Sequence, residues 1–480
     1  MDEHHCGPGF PGSWLSDKPR EECGVFGIYA PGRDVSRLTY YGLYALQHRG
    51  QESAGIAVAD GKAIHLYKGM GLVPEVFNGT QLDDLKGTIA IGHVRYSTTG
   101  SSQPINAQPL VFRYAGGKLG LAHNGNITNV ADLRSQLLSS GSVFQSSTDT
   151  EVIVNLIARY SQNTLEEALM KCMIDIKGAY SLVLLAGNKL IALRDPFAFR
   201  PLCLGALPGG GYVVASESCA LDIVGATLVR DLLPGEIVVI DENGLFSLQT
   251  LQAKKRAHCI FEYIYFARPD SKIDGFYVNR VRREMGRQLA REYPVDADLV
   301  IPVPDSGTAA ARGYAEESGL PFEEGLMKNR YVGRTFIQPT QEIRALGVRL
   351  KLNPVRELLE GKRVVMVDDS IVRGTTSNKL VAMLRDCGAR EVHMCLSSPP
   401  VIKSCYYGID TSNEDELIAT KMTPEEIRKN IGADGLHYIT MEGMLGIFGG
   451  YQDNFCTACF SGNYPVDVNR IKDCGKLSLE

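Results

Sequence analysis

The periodicity of the chain changes near residue 250, and that change constrains the fold more than any other feature. From Cys23 to about Thr250, short apolar segments recur between turn signals. GVFGIYA, SAGIAVAD, AIHLYKG, TIAIGHVRYS and LGLAHNGNI all read as strands. Helices are expected over about 37–47 and 150–161. Grouped strands with helices packed on them predict a layered α+β domain over 23–250. After about Lys255 the pattern alternates. DLVIPVPDSGTAAARGYAEESG reads strand, loop, helix, and KRVVMVDDSIVRGTTSNKLVAMLRDCGAREVHMCLSSP reads strand, loop, helix, strand. Leu380, Val381 and Leu384 share one helix face, and Gly388 is placed to end that helix in a left-handed conformation. This alternation predicts an α/β domain with a parallel sheet and crossover helices over 251–480.

The chain's 480 residues suffice for two or three full cores. With 44% hydrophobic and 22% charged residues it reads as a globular protein of the soluble type. A formal charge of −5 gives no sign of a nucleic-acid or acidic-lipid partner. No apolar run reaches membrane-span length; SLVLLAG is the length of a core strand. Residues 1–22 lack the features of a secretory signal or a transit peptide, so a cytoplasmic protein is expected. Within them GPGFPG matches the dinucleotide-binding glycine pattern, but no strand precedes it and Pro8 and Pro11 interrupt it. The match is spurious, and the leader reads as disordered or removable.

The stretch EECGVFGIY puts a cysteine directly before a glycine and a short strand. Cysteine is an effective nucleophile for an acyl carbon once deprotonated, and its thiol normally needs a base. No histidine is an obvious partner. If the chain began at Cys23, its free α-amine, with a pKa of about 7.7–8.0, would serve; behind Glu22 that nitrogen is an amide. Three motifs suit amide chemistry. GHVRYSTTG offers Arg95 at a strand end for a bidentate pair with a carboxylate. HNGNITN places Asn124 and Gly125 on a turn, where an amide and a backbone N–H can face an oxyanion. SSTDTE sets Asp149 at a helix start, as a cap or as a partner for a substrate ammonium. Taken singly, Arg95 also fits a surface ion pair, and Asn-Gly an ordinary turn.

Together, CGVFGIYA, ALQHRGQESAGI, GHVRYSTTG, AHNGNITN and STDTE resemble the signatures of the N-terminal-nucleophile glutamine amidotransferases. The resemblance implies a four-layer αββα (Ntn) domain that hydrolyses glutamine. It implies Cys23 as nucleophile, Arg95 and Asp149 on the glutamine carboxylate and amine, Asn124 and Gly125 as the oxyanion hole, and Arg49 near the nucleophile. Many relatives lose only a methionine before the cysteine; the 22-residue leader fits the branch that removes a propeptide.

In the second domain, VVMVDDSIVRGTTS ends a buried strand in two carboxylates and runs through a Ser/Thr/Gly loop into a helix. This suits a phosphorylated sugar: N–H groups at the helix start take a phosphate, and Asp368 and Asp369 take ribose hydroxyls or Mg²⁺. An acidic strand end of a nucleotide hydrolase is the competing reading, but the chain has no GxxxxGK[ST] loop. The stretch resembles the phosphoribosylpyrophosphate (PRPP) motif of type I phosphoribosyltransferases. That implies PRPP binding by Asp368, Asp369, Ser370, Arg373, Gly374, Thr375 and Thr376. PVPDSG resembles the pyrophosphate loop, with Asp305, Ser306 and Gly307, and Ser306 joins Asp368 and Asp369 as an Mg²⁺ contact. KNRYVGRTFI resembles the mobile loop that closes over PRPP, and reads equally as a surface crossing. Closure would keep water from the activated ribose.

A glutaminase joined to a PRPP-binding domain resembles one family, the glutamine PRPP amidotransferases, over nearly the whole chain after Cys23 and including LKLNPV and YIYFARPDS. It implies the committed step of purine synthesis: PRPP, glutamine and water give 5-phosphoribosylamine, glutamate and pyrophosphate, with ammonia passed from Cys23 to the ribose. It also implies a homotetramer and feedback inhibition by purine nucleotides.

The twelve cysteines are scattered, without a disulfide framework. Cys172, Cys203 and Cys219 read as core residues, and Cys6, Cys387 and Cys474 as ordinary thiols. FCTACF gives a Cys-x-x-Cys pair, Cys456 and Cys459, which alone fits a metal, a redox pair or two structural thiols. By resemblance to one branch of the family, Cys259 and Cys405 complete the ligands of a structural [4Fe–4S] cluster; spacing alone leaves Cys395 open. Two other readings compete. A different amidotransferase would lack the paired-Asp loop. A PRPP- or nucleotide-sensing regulator on a phosphoribosyltransferase scaffold would have no reason to keep a nucleophile, an oxyanion turn and a carboxylate clamp.

Overall fold

The computed structural model describes residues 23–96, 101–249, 251, 253, 255–329, 352–411 and 414–468. The leader, Cys6, Cys474 and most of KNRYVGRTFI lie outside them. The chain forms two compact units. One comprises the described residues within 23–279, 404–411 and 448–468; the other comprises those within 280–403 and 414–447. The pattern change near 250 therefore marks the end of the strand-rich layers, at Gln249, and not the edge of a compact unit. Residues 251–279 and 448–468 fold with the first unit because they pair with each other: His258–Cys259 runs parallel to Phe455–Cys456. Local periodicity carries no trace of that pairing.

Two antiparallel sheets build the first unit. One has seven strands in the spatial order Thr227–Asp231, Cys203–Ala206, Tyr212–Ala215, Gly24–Tyr29, Ile89–Arg95, Ser53–Ala59 and Ile64–Met70. The other has six: Gly244–Gln249, Glu236–Asp241, Lys189–Arg194, Gly178–Ala186, Gly117–Ile127 and Leu110–Tyr114. Side chains alternate across each strand. In Gly24–Tyr29, Val25 points into the core between the sheets with Ile91, Ala122 and Val183. Phe26 and Ile28 point outward, against Leu43 of the helix Val35–Ala45. Asp34 caps that helix by accepting from Arg37 N at 3.1 Å. On the far face, Asp149–Tyr160 presents Val152, Ile153, Leu156 and Ile157 at helical spacing, and packs with Leu165–Asp175 against Leu182 and Leu184. The layers run helix, sheet, sheet, helix.

The second unit holds a parallel sheet in the order Leu299–Pro302, Arg363–Asp368, Glu391–Leu396 and Gly435–Tyr438. Val364, Val365, Met366 and Val367 are all fully buried, as expected of a parallel strand covered on both faces. Val278–Glu292, which enters the unit at Arg280, Thr308–Ser318, Thr375–Asp386 and Pro424–Ile431 are its main helices. Leu380, Val381 and Leu384 face the core together, and Gly388 takes φ +91° just past the end of Thr375–Asp386.

Candidate functional site

Cys23 lies at the start of the strand Gly24–Tyr29. The register Gly24↔Val94 brings it to the end of Ile89–Arg95, beside Arg95. Its Sγ donates to Tyr96 O at 3.4 Å. Burial pushes the thiol up to about 11, against the opposing pull of the Tyr96 main chain and of Arg95. At neutral pH the thiol is thus protonated, and a base is needed to make it a nucleophile.

Arg95 is buried, not a surface residue; its Nη1 donates to Ser101 O at 3.3 Å and lies 3.8 Å from Glu52 Oε2. Asn124 and Gly125 are not on a turn. They lie within the strand Gly117–Ile127, opposite Ser181 and Tyr180, because a long ladder with Gly178–Ala186 overrides the local turn preference of Asn-Gly. Gly125 takes φ +144°, and a Cβ there would come within 2.0 Å of Ala179 O, so only glycine fits. The buried Asn124 Oδ1 has no hydrogen-bond partner among the described residues, and Nδ2 makes only a long 3.5 Å bond to Ser216 Oγ. Ser216 in turn accepts from Val25 N at 3.0 Å, tying Asn124 to the nucleophile strand.

Asp149 is the first residue of its helix, and Thr148 holds the capping position. Burial would raise the Asp149 carboxyl, but His123 at 3.4 Å and Ile127 N at 3.2 Å hold it below the ordinary range. The charges of Arg95, Glu52 and Asp149 all act on the Cys23 thiol, so these groups share one neighbourhood. Behind it, Arg49 Nε donates to Cys23 O at 3.1 Å, and its Nη atoms reach Glu217 Oε1 at 2.6 Å and Glu262 Oε1 at 2.7 Å. Ser216, Glu52, His123, Glu217 and Glu262 escaped the sequence reading, since each is joined to the site only by long-range pairing.

In the second unit Asp368 and Asp369 are buried at the end of Arg363–Asp368. Asp369 N donates to Asp368 Oδ1 at 2.8 Å, and Ser370 Oγ to Asp369 Oδ1 at 2.6 Å. The loop passes Arg373, whose Nε donates to Glu416 Oε2 at 2.8 Å, and Gly374, at φ +80°, before Thr375 opens the helix; Thr376 is buried in its first turn. Asp305, Ser306 and Gly307 leave the neighbouring parallel strand and lead into Thr308–Ser318. Val303 N donates to Val367 O at 2.9 Å, and a Cβ on Gly307 would come within 2.3 Å of that oxygen. The two loops therefore leave the carboxyl ends of adjacent strands side by side, the place where open α/β sheets bind ligands. Asp305 is exposed and pairs with Lys328. The hard oxygen donors of Ser306, Asp368 and Asp369 suit Mg²⁺.

Cys259, Cys405, Cys456 and Cys459, all in the first unit, line a single cavity with Phe199, Tyr407, Ile409 and Ala458. Cys395 belongs to the second unit, in the strand Glu391–Leu396. Burial, reinforced by the neighbouring thiols, pushes Cys456 up to about 12 and Cys459 well above the ordinary thiol value. Burial does the same to Cys259, at about 12, although Arg200 pulls it down. Among the described residues no three His, Cys, Asp or Glu side chains draw together tightly enough for a single metal ion. Four soft thiols around one cavity are the donor type that an iron–sulfur cluster would take.

Two family models match the chain: a glutamine amidotransferase domain over residues 93–222 and a phosphoribosyl transferase domain over residues 279–401. The amidophosphoribosyltransferase of Synechocystis sp. is 52% identical over 470 residues, covering 97% of this chain and 95% of that protein. The Bacillus subtilis amidophosphoribosyltransferase is 51% identical, covering 93% of this chain and 95% of that protein. The chain belongs to the amidophosphoribosyltransferase family. The solved glutamine PRPP amidotransferase of B. subtilis, complexed with ADP and GMP, superposes with a TM-score of 0.89 at 50% identity, over 93% of this chain and 98% of that one. An amidophosphoribosyltransferase thus combines the layered Ntn glutaminase and the α/β phosphoribosyltransferase folds described above.

Proposed function

We propose that the chain catalyses the committed step of purine synthesis, converting PRPP, glutamine and water to 5-phosphoribosylamine, glutamate and pyrophosphate. The observation that carries this reading is the presence, in one chain, of a buried thiol on a strand tied through Ser216 to Asn124, and of a paired-Asp loop at the carboxyl end of a parallel sheet. After removal of residues 1–22, the α-amine of Cys23 takes the thiol proton, and Sγ attacks the glutamine carboxamide carbon. Asn124 Nδ2 and Gly125 N–H donate to the oxyanion; Arg95 and Asp149 hold the substrate carboxylate and ammonium. Ammonia leaves, and water hydrolyses the thioester.

Ammonia is then passed to C1 of PRPP. Ser370, Gly374, Thr375 and Thr376 receive the 5-phosphate with help from Arg373, Asp368 and Asp369 hold the ribose hydroxyls, and Asp305, Ser306 and Gly307 cradle the pyrophosphate. Bound at Ser306, Asp368 and Asp369, Mg²⁺ would neutralise charge on the leaving pyrophosphate. Cys259, Cys405, Cys456 and Cys459 would hold a structural [4Fe–4S] cluster. Purine nucleotides act as feedback inhibitors, a reading supported by the ADP and GMP complex of the B. subtilis relative. A homotetramer in the cytoplasm completes the reading; no helix among the described residues is long and apolar enough to cross a membrane. A PRPP-sensing regulator is not favoured, since it has no use for the groups gathered at Cys23.

The test is the intact mass of protein purified without oxygen, with glutamate release measured with and without PRPP. A chain starting at Cys23 with PRPP-dependent glutamate release supports the proposal. PRPP binding without glutamate release, from a chain that does start at Cys23, rejects it.

A further inference from the structure

The first unit buries a second set of charges behind the nucleophile. Arg49, Glu217, Glu262 and Arg200 are each at most 1% exposed. Such charges persist in a protein interior only where they pair. Here they form a chain. Arg49 Nε holds Cys23 O at 3.1 Å; Arg49 Nη2 donates to Glu262 Oε1 at 2.7 Å; Arg200 Nη1 stands 3.8 Å from the same Glu262 oxygen. At its other end Arg200 Nε donates to Tyr407 O at 3.1 Å, and Tyr407 N donates to Cys405 Sγ at 3.4 Å. Glu262 opens a single wide helical turn, Glu262–Phe266, closed by Ala267 N on Glu262 O at 3.1 Å; this rare geometry recurs at functional sites. Glu217 does not extend the chain. It is separately anchored by Ser271 Oγ at 2.6 Å, Arg268 N at 2.9 Å and His48 Nε2 at 2.6 Å.

We propose that Glu262 and Arg200 are positioning residues for the glutaminase, forming a relay through Arg49 by which the segment around the thiol-lined cavity fixes the main chain of Cys23. The proposal rests on Cys23 being the nucleophile. Neither residue can touch glutamine directly, because both are engaged behind the strand. They act on the orientation of the Cys23 carbonyl, and through it on the thiol and the α-nitrogen that must exchange its proton. Of the two carboxylates on Arg49, only Glu262 reaches the cavity side. Replacing it should therefore disturb the reaction in a way that replacing Glu217 would not connect to the thiols.

The experiment compares wild type with Glu262→Gln and Arg200→Lys, all as full chains purified without oxygen. Iron per chain, the fraction cleaved before Cys23, kcat and KM for glutamine hydrolysis, and synthesis from free ammonia are measured. The relay predicts that Glu262→Gln keeps ammonia-dependent synthesis. Its glutaminase kcat, counted per cleaved chain, falls at least tenfold while KM for glutamine stays within twofold. Arg200→Lys, which keeps the charge, recovers part of that loss. Wild-type kcat in both variants overturns the proposal, as does a loss expressed in KM alone. Cys23→Ala separates the two readings: a Cys23→Ala chain that still releases glutamate removes the nucleophile assignment itself. Iron content reports on the cavity alone, and an iron-free wild type would leave the kcat comparison intact.

Discussion

At the residue scale the site turns on a thiol that its own burial keeps protonated. Cys23, pushed up to about 11, gains a suitably weak base only from a free α-amine, with a pKa of about 7.7–8.0. Cys23→Ala is therefore expected to lower glutamine-dependent synthesis by at least about 10³-fold while ammonia-dependent synthesis persists, read by running both assays on one preparation. Asn124→Ala removes the side chain proposed as an oxyanion donor, which makes a 3.5 Å contact with Ser216, and should cost about 10²–10³ in glutaminase kcat. Glu217 gives a prediction in pH. Burial alone would raise it, but His48 and Arg49 hold it well below the ordinary range, so its pairing stabilises the folded unit above the unfolded value of about 4.3. That contribution is lost as pH falls through the depressed folded value. Glu217→Gln should cost about 3–5 kcal/mol at pH 7, by leaving Arg49 short of a charge, and the gap to wild type should narrow progressively below about pH 4. Urea titrations at pH 7 and pH 3.5 compare the full contribution with one that has begun to fall.

At the element scale, what the sequence could reveal depends on whether the cause is local. The strands Gly24–Tyr29, Ser53–Ala59, Ile64–Met70 and Ile89–Arg95 follow their apolar pattern, and Gly388 ends its helix at φ +91° as the left-handed stop requires. Asn124 and Gly125 were misplaced on a turn because the two-residue signal is local, whereas the ladder that holds them extended belongs to Gly178–Ala186, more than fifty positions on. Ser216 and Glu262 were invisible for the same reason. A boundary near 250 tracked the end of the strand layers and missed the return of 448–468. The two ligand loops of the second unit were legible as motifs, but their adjacency comes from the parallel pairing Pro302↔Val367. That adjacency is testable at Gly307. A Cβ there would press within 2.3 Å of Val367 O, a backbone atom that cannot swing aside. Gly307→Ala should destabilise the second unit by about 1–3 kcal/mol and raise the KM for PRPP, leaving PRPP-independent glutamine hydrolysis unchanged. Unfolding curves and initial rates at varied PRPP read both effects.

At the scale of the whole molecule, the thiol cavity brings together cysteines from distant stretches of sequence. Cys259 precedes the second unit, Cys405 lies on the short segment that returns after Lys403, and Cys456 and Cys459 lie on the return after Ile447. A cluster bound there would close two long loops, each containing part of the second unit, and closing a loop of about 100 residues is worth on the order of 4–5 kcal/mol in the chain-entropy picture. The stabilisation belongs to the first unit, since all four thiols fold with it. Buried thiols raised to about 12 also resist losing their protons, so loading must release protons and should weaken as pH falls. Scanning calorimetry on oxygen-free and on oxidised, chelator-treated protein separates these consequences. Iron removal is expected to lower the transition assigned to the first unit, while the transition that responds to PRPP stays in place. Cys456→Ser should reproduce the lowered transition without any chelator. If both transitions are unmoved when iron is gone, the four thiols are ordinary core residues and the loop-closing cluster is discarded.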